Sequence, residues 1–430
     1  MNKTLTSRLS GALALCAAIA GLSSCGRDVN SLSDPHFAAD GAPLDTLAYF
    51  LPERPARVRL YVETSGSMNG FLRANQSNRF KRTVWSVFSG LQAQGQTDGC
   101  VYTLSNQGRV DSPISIADFR RGLNGGGLLS NSSTLIPDML ASILADIDPA
   151  QGEVALLVSD MKYSPRNDNP VELSQYQDDI RNLVGRSGIS VSYVCATSEF
   201  LGANNRVAEP ASPYIFLMLG RPEQVAALRN DIATWVDNVG GYVESGDMAM
   251  NYLTPPYAIR EVKNALSSSR YPQTLITDVD PDAGDTLSFV LRMDMTGYPR
   301  RAMTPSLLDS CLTARALYGA TVQATLLTSA DHLKDDPHYR GEFERKAWAD
   351  YQVKVWDFVL PDEVLELRFS SRPFDLWLSA DFLAMIASDS PRDLAGLFSF
   401  NNFISGCFNG RQNVAATEPI RILLSSANDD

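Results

Sequence analysis

Histidine is nearly absent: 430 residues contain only three, His36, His332 and His338. A serine or cysteine nucleophile needs a base within hydrogen-bond reach. His36 falls in an N-terminal segment and the other two in a polar loop far downstream, so no such pair is expected. The chain also lacks a Gly-x-Ser-x-Gly elbow and any Cys/His spacing that suits zinc. An enzyme is therefore not expected. Basic residues are the minority, 37 Lys and Arg against 49 Asp and Glu, for a net charge of −12. Such a surface repels a phosphate backbone unless a local basic patch intervenes. No patch is visible along the sequence, so nucleic acid is not an expected partner. Internal repeats and low-complexity tracts are missing too, as is any apolar run of the roughly 20 residues that span a bilayer.

What is present begins at the N-terminus. Lys3 and Arg8 precede a short apolar run, "LSGALALCAAIAGL" (9–22), and small residues follow. This is the pattern of a secretory signal. "LSSC" (22–25) resembles a bacterial lipobox, which implies lipidation of Cys25 and removal of residues 1–24. Gly26, rather than Asp, follows Cys25, and by analogy this favours the outer membrane of a bacterial cell envelope. Residues 25–55 are rich in Asp, Pro, Ala and Gly and read as a tether.

Six cysteines include Cys16 in the apolar run and Cys25, leaving Cys100, Cys195, Cys311 and Cys407 for the mature body. An exported protein can form disulfides. A bridge needs Cα atoms within about 7 Å. Cys100 opens an early strand and Cys195 ends a late one, so they are expected to be buried thiols. Cys311 with Cys407 is the pair that remains.

The length suggests two domains. From 56 to 242, apolar strands alternate with amphipathic helices. "CVYTLS" (100–105), "EVALLVSD" (153–160) and "ISVSYVCA" (189–196) are strands. Phe80, Val84, Val87, Phe88 and Leu91 recur at helical spacing, as do Leu135, Met139, Ile143 and Ile147. This predicts an α/β domain, doubly wound with a mostly parallel sheet. Residues 250–430 are strand-rich with few helical patterns, and predict a β-rich, sandwich-like second domain. Trp235, Trp348, Trp356 and Trp377 read as core or interface residues.

In doubly wound sheets ligands sit beyond the carboxyl ends of the strands. "YVETSGSMNG" (61–70) ends the first strand there with Glu63, Ser65 and Ser67. "NSSTLIPDML" (131–140) places Thr134 at the head of a helix, and "ALLVSDMKYSP" (155–165) places Asp160 at the end of a central strand. These segments resemble the von Willebrand factor type A (vWA) family, whose first strand ends in Asp-x-Ser-x-Ser. The resemblance covers about 55–240. It implies that Glu63, Ser65, Ser67, Thr134 and Asp160 form a variant of the family's metal-ion-dependent adhesion site. It further implies a Mg²⁺ ion, or Ca²⁺ or Mn²⁺, that binds an acidic group of a protein partner. Glu63 replaces the family's aspartate and is one methylene longer, which carries its carboxylate about 1.5 Å further. A larger or water-relayed ion tolerates that shift better than Mg²⁺.

Taken together these features predict an exported, lipid-anchored protein for recognition or adhesion, held to the membrane through Cys25. The alternative is a metal-free envelope scaffold with a degenerate site. One further segment, "DVDPDAGDTLSF" (278–289), crowds Asp278, Asp280, Asp282 and Asp285 before a strand. It resembles the calcium-binding turn of bacterial cadherin-like modules, but with Pro281 and Gly284 it reads first as a solvated turn.

Overall fold

The computed structural model describes residues 35–105, 109–133, 135–163, 170–250, 252–281, 284–328, 331, 347–375, 378–411 and 417–426. Thr134, Asp282, His332, His338, Trp377 and the N-terminal segment with Cys25 lie outside them.

The first half is an eight-stranded sheet with helices on both faces. Its elements are β1 (Arg57–Glu63), α1 (Arg79–Ala93), β2 (Cys100–Ser105), β3 (Arg109–Val110), β4 (Ile114–Ser115), α2 (Ile116–Gly125), α3 (Ile136–Asp146), β5 (Glu153–Ser159), α4 (Pro170–Ser187), β6 (Ser190–Leu201), β7 (Val207–Gly220), α5 (Pro222–Val239) and β8 (Tyr242–Ala249). The strand order is β3-β2-β1-β5-β7-β6-β8, with β4 also paired to β2. Strand alternation divides the side chains between two cores. Val58, Leu60 and Val62 of β1 face α1, α2 and α5, whereas Tyr61 faces α3 and α4. Every residue of β5 is buried, as a central strand covered on both sides requires. The helix starts are set locally. Asn78 caps α1 by accepting the Lys81 amide at 3.0 Å, and Ser115 caps α2 by accepting the Asp118 amide at 3.0 Å.

The parallel part of the sheet is β2-β1-β5. Beyond β5 the pairing turns antiparallel, because β6 and β7 form a long hairpin and β7, not β6, docks beside β5. A hairpin cannot be told from a crossover by apolar content alone. Most of β6 and the second part of β7 are buried, as a crossover strand would be, so the periodicity that predicted a doubly wound sheet did not reveal the reversal.

The second half adds β9 (Tyr257–Lys263), β10 (Leu266–Ser267), β11 (Leu275–Thr277), β12 (Leu287–Asp294), β13 (Leu312–Ala316), β14 (Thr321–Leu326), β15 (Trp348–Trp356), β16 (Glu363–Phe369), α6 (Ala380–Ile386), α7 (Phe400–Gly410) and β17 (Ile420–Leu424). Two sheets, β14-β15-β12-β9 and β10-β11-β17-β16-β13, share one core. Leu287, Phe289, Leu291 and Met293 of β12 lie opposite Val355, Val353, Tyr351 and Ala349 of β15. Leu365 and Leu367 of β16 lie opposite Ile422 and Ile420 of β17. Pairing is antiparallel except between β11 and β17.

Three expectations are corrected. The described part of the supposed tether, 35–55, is docked rather than loose: Phe37 and Phe50 are buried, and the Phe50 ring meets Tyr252 at 5.0 Å and Tyr298 at 5.7 Å. Two aromatic side chains outweigh the polar composition around them. The C-terminal region is also not a closed unit, because α7 returns to the first half and covers Ile180 and Val184 of α4. Finally, Cys311 and Cys407 lie in two different cores and form no bridge with each other. Cys195 is a buried free thiol as expected, and Cys100 is free but half-buried.

The α4–α7 contact depends on missing side chains. A Cβ at Gly406 would lie 2.7 Å from the Gln177 carbonyl oxygen, and one at Gly410 would lie 2.6 Å from that of Arg181. The two glycines stand four residues apart on one face of α7, which lets the helix backbones approach closely. Gly406→Val is expected to cost about 1–3 kcal/mol by overpacking, measured by urea denaturation. Unchanged stability would mean that α7 is not held against α4 in this way.

Candidate functional site

At the carboxyl edge of the parallel strands the loop after β1 meets two others. Gly66 N donates to the Ser132 carbonyl at 3.0 Å, and Asn69 holds Ser130 with two bonds, Nδ2 to Ser130 O at 2.6 Å and Ser130 N to Asn69 Oδ1 at 3.1 Å. The 130–133 loop is thereby fixed beside residues 65–69. On the other side is the end of β5. The Ser65 and Ser67 hydroxyls are 2.8 Å apart, and Ser67 Oγ donates to Asp160 Oδ1 at 3.2 Å. Ser65 and Asp160 are buried and Ser67 half-buried. The structure therefore brings together Ser65, Ser67 and Asp160. Thr134 lies outside the described residues, immediately after the anchored 130–133 loop.

Glu63 is arranged differently. Its carboxylate is buried and accepts a short hydrogen bond from Ser159 Oγ, which in turn accepts the Met161 amide at 2.7 Å. The extra methylene is thus used to reach across to the neighbouring strand. Ser159 and Lys162 were not singled out in the sequence. Ser159 directly precedes Asp160, but an apolar strand followed by Ser-Asp gives no sign that its hydroxyl would meet Glu63. Lys162 looks like a solvated loop lysine. In the fold it is buried, its amide donates to Asp160 Oδ1 at 3.3 Å, and its Nζ donates to the Asp393 carbonyl at 2.7 Å. A loop of the C-terminal region, fixed also by Ser212 Oγ donating to Leu394 O at 2.6 Å, consequently forms one wall of the site.

Burial pushes the Asp160 carboxyl above its ordinary range, and the nearby Lys162 charge with the Lys162 and Ser67 hydrogen bonds only partly offsets this. A buried carboxylate with incomplete compensation can accept a cation. The hydroxyl spacings also suit one. Adjacent ligands of an octahedral ion with bonds near 2.1 Å are about 3 Å apart, close to the two separations observed. Among the described residues only two carboxylates take part, and no group of three or more His, Cys, Asp or Glu side chains is placed to hold a metal. This arrangement can present neutral hydroxyl oxygens with one directly placed acid.

Compared with protein-family models, with curated proteins and with solved structures, the chain matches none of them.

Because the folded state binds the Asp160 proton more tightly than the unfolded chain, this group's contribution is most favourable below the unfolded pKa. It is lost as pH rises through the elevated folded value. Asp160→Asn, in chelator, is therefore expected to stabilise the protein at pH 7 by on the order of 1 kcal/mol, with the gain fading towards pH 4. Thermal unfolding at both pH values measures it, and a variant less stable than wild type at pH 7 would contradict the account.

Proposed function

We propose that the chain is an exported, lipid-anchored binding protein of the bacterial cell envelope. Its vWA-like site takes a divalent cation, Mg²⁺ or else Ca²⁺ or Mn²⁺, and recognises an acidic group on a protein partner. The observation that carries this reading is the continuous contact from Ser65 through Ser67 to Asp160, oxygens from the ends of two neighbouring parallel strands.

In this reading Ser65, Ser67 and Asp160 hold the cation, the resemblance adds Thr134, and Glu63 contributes charge at one remove. With few carboxylates bound directly, the cation would stay electrophilic enough to accept a partner's carboxylate. The protein's own residues do the rest. The 130–133 loop and the Ser212–Leu394 contact support the walls, and burial strengthens each electrostatic contact. The lipid anchor rests on the apolar run and "LSSC" at 22–25.

Calorimetric titration with Mg²⁺, Mn²⁺ and Ca²⁺ is expected to show saturable binding to the wild type and at least tenfold weaker binding to Ser65→Ala. No binding by the wild type would remove the cation and leave the scaffold alternative. A separate measurement checks the anchor. Cys25→Ser is expected to abolish incorporation of labelled palmitate in a bacterial host, and persistent incorporation would refute lipidation at that residue.

A further inference from the structure

The acidic balance of the chain inverts locally between α1 and α2. Elsewhere arginines such as Arg229, Arg292 and Arg315 end on carboxylates. Here Lys81 and Arg82 of α1 and Arg120 of α2 line two adjoining hollows of about 530 and 370 Å³ that share Trp85, Arg120 and Asn124. Among the described residues none of these three cations has a carboxylate within ion-pair distance, and Arg121 is paired only with Asp118. The sequence hides this, because "FKR" (80–82) and "FRR" (119–121) are almost forty positions apart.

The groove is built rather than incidental. Lys81 is only 5% exposed, and its Nζ donates to the Arg73 carbonyl. An ammonium has three donors, and the other two have no protein acceptor among the described residues. Burial, with no acid to offset it, pushes the Lys81 pKa down. The Arg120 guanidinium lies 4.6 Å from the centre of the Trp85 ring. Stacking uses the face of the guanidinium and leaves its in-plane N–H donors for a ligand. Asn75 and Ser77 add neutral polar groups at the rim.

We propose that this groove binds a phosphate-bearing ligand, either a soluble phosphorylated compound or the headgroup of an anionic lipid. One carboxylate would leave two of the three charges unmatched. A phosphomonoester carries about −1.5 to −2 charges and three strong acceptor oxygens, and Arg forks suit it geometrically. The inference is independent of the cation site, which involves none of these residues.

Calorimetry with pyrophosphate and the full chain, in chelator and at low salt, tests it. Saturable binding is expected, at least tenfold weaker in an Arg82→Gln/Arg120→Gln double variant. Both side chains are exposed, so the variant should keep the wild-type melting curve. Competition by vesicles of phosphatidylcholine with phosphatidic acid, but not by phosphatidylcholine alone, would assign the ligand to a lipid headgroup. Binding without that competition would assign it to a soluble phosphate. The proposal is overturned if pyrophosphate does not bind, if the double variant binds equally well, or if tetraglutamate binds as tightly as pyrophosphate.

Discussion

The parallel pairing of β1 with β5 is the constraint on which the candidate site depends. Its register aligns Val62 with Val158, so the residues that follow leave the sheet side by side. Glu63 then meets Ser159, and Ser67 meets Asp160. Two apolar strands, covered on both faces, fix this register because a one-residue slip would exchange the side chains of the two cores. The polar chemistry at the carboxyl edge is a consequence of apolar burial beneath it.

A second dependence runs through the C-terminal region. Its sandwich does not stand apart. α7 lies on α4 through Gly406 and Gly410, and the Asp393 carbonyl holds the Lys162 side chain next to Asp160. Buried arginines join the halves elsewhere. Arg301 reaches Glu244 of β8 at 3.2 Å, and Arg229 of α5 pairs with Asp247 while donating to the Gly297 carbonyl at 2.9 Å. Loss of one partner would strand a buried charge, a penalty of several kcal/mol. Removing residues 250–430 would therefore expose the sheet face under α7 and leave Lys162 without its acceptor.

Much of the architecture was legible in the residues. β5 reads as a covered strand because it has no polar alternation, and α1 because Phe80, Val84, Val87 and Leu91 share one face. The strand-rich character of 250–430 was legible, although β15, Trp348–Trp356, was not singled out within it. The direction of β7 was not legible, since a strand's sequence does not record its polarity relative to a neighbour. Nor was the docking of residues 35–55, where Phe37 and Phe50 are buried but the apolar residues follow no helical or strand period among Asp, Pro, Ala and Gly. α2 was missed because its apolar positions, Ile116, Phe119 and Leu123, are sparse among charged ones.

The sequence by itself determined most of the segments that become strands and helices, and it placed Ser65, Ser67 and Asp160 at strand ends, because periodicity and turn chemistry act over a few neighbouring residues. Only the tertiary structure decided which polar groups meet. Glu63 finds Ser159 across two strands, Lys162 finds a carbonyl 231 residues away, and Lys81, Arg82 and Arg120 gather around Trp85. Electrostatic and hydrogen-bond contacts depend on distance in space, and that distance is set by how the apolar faces pack.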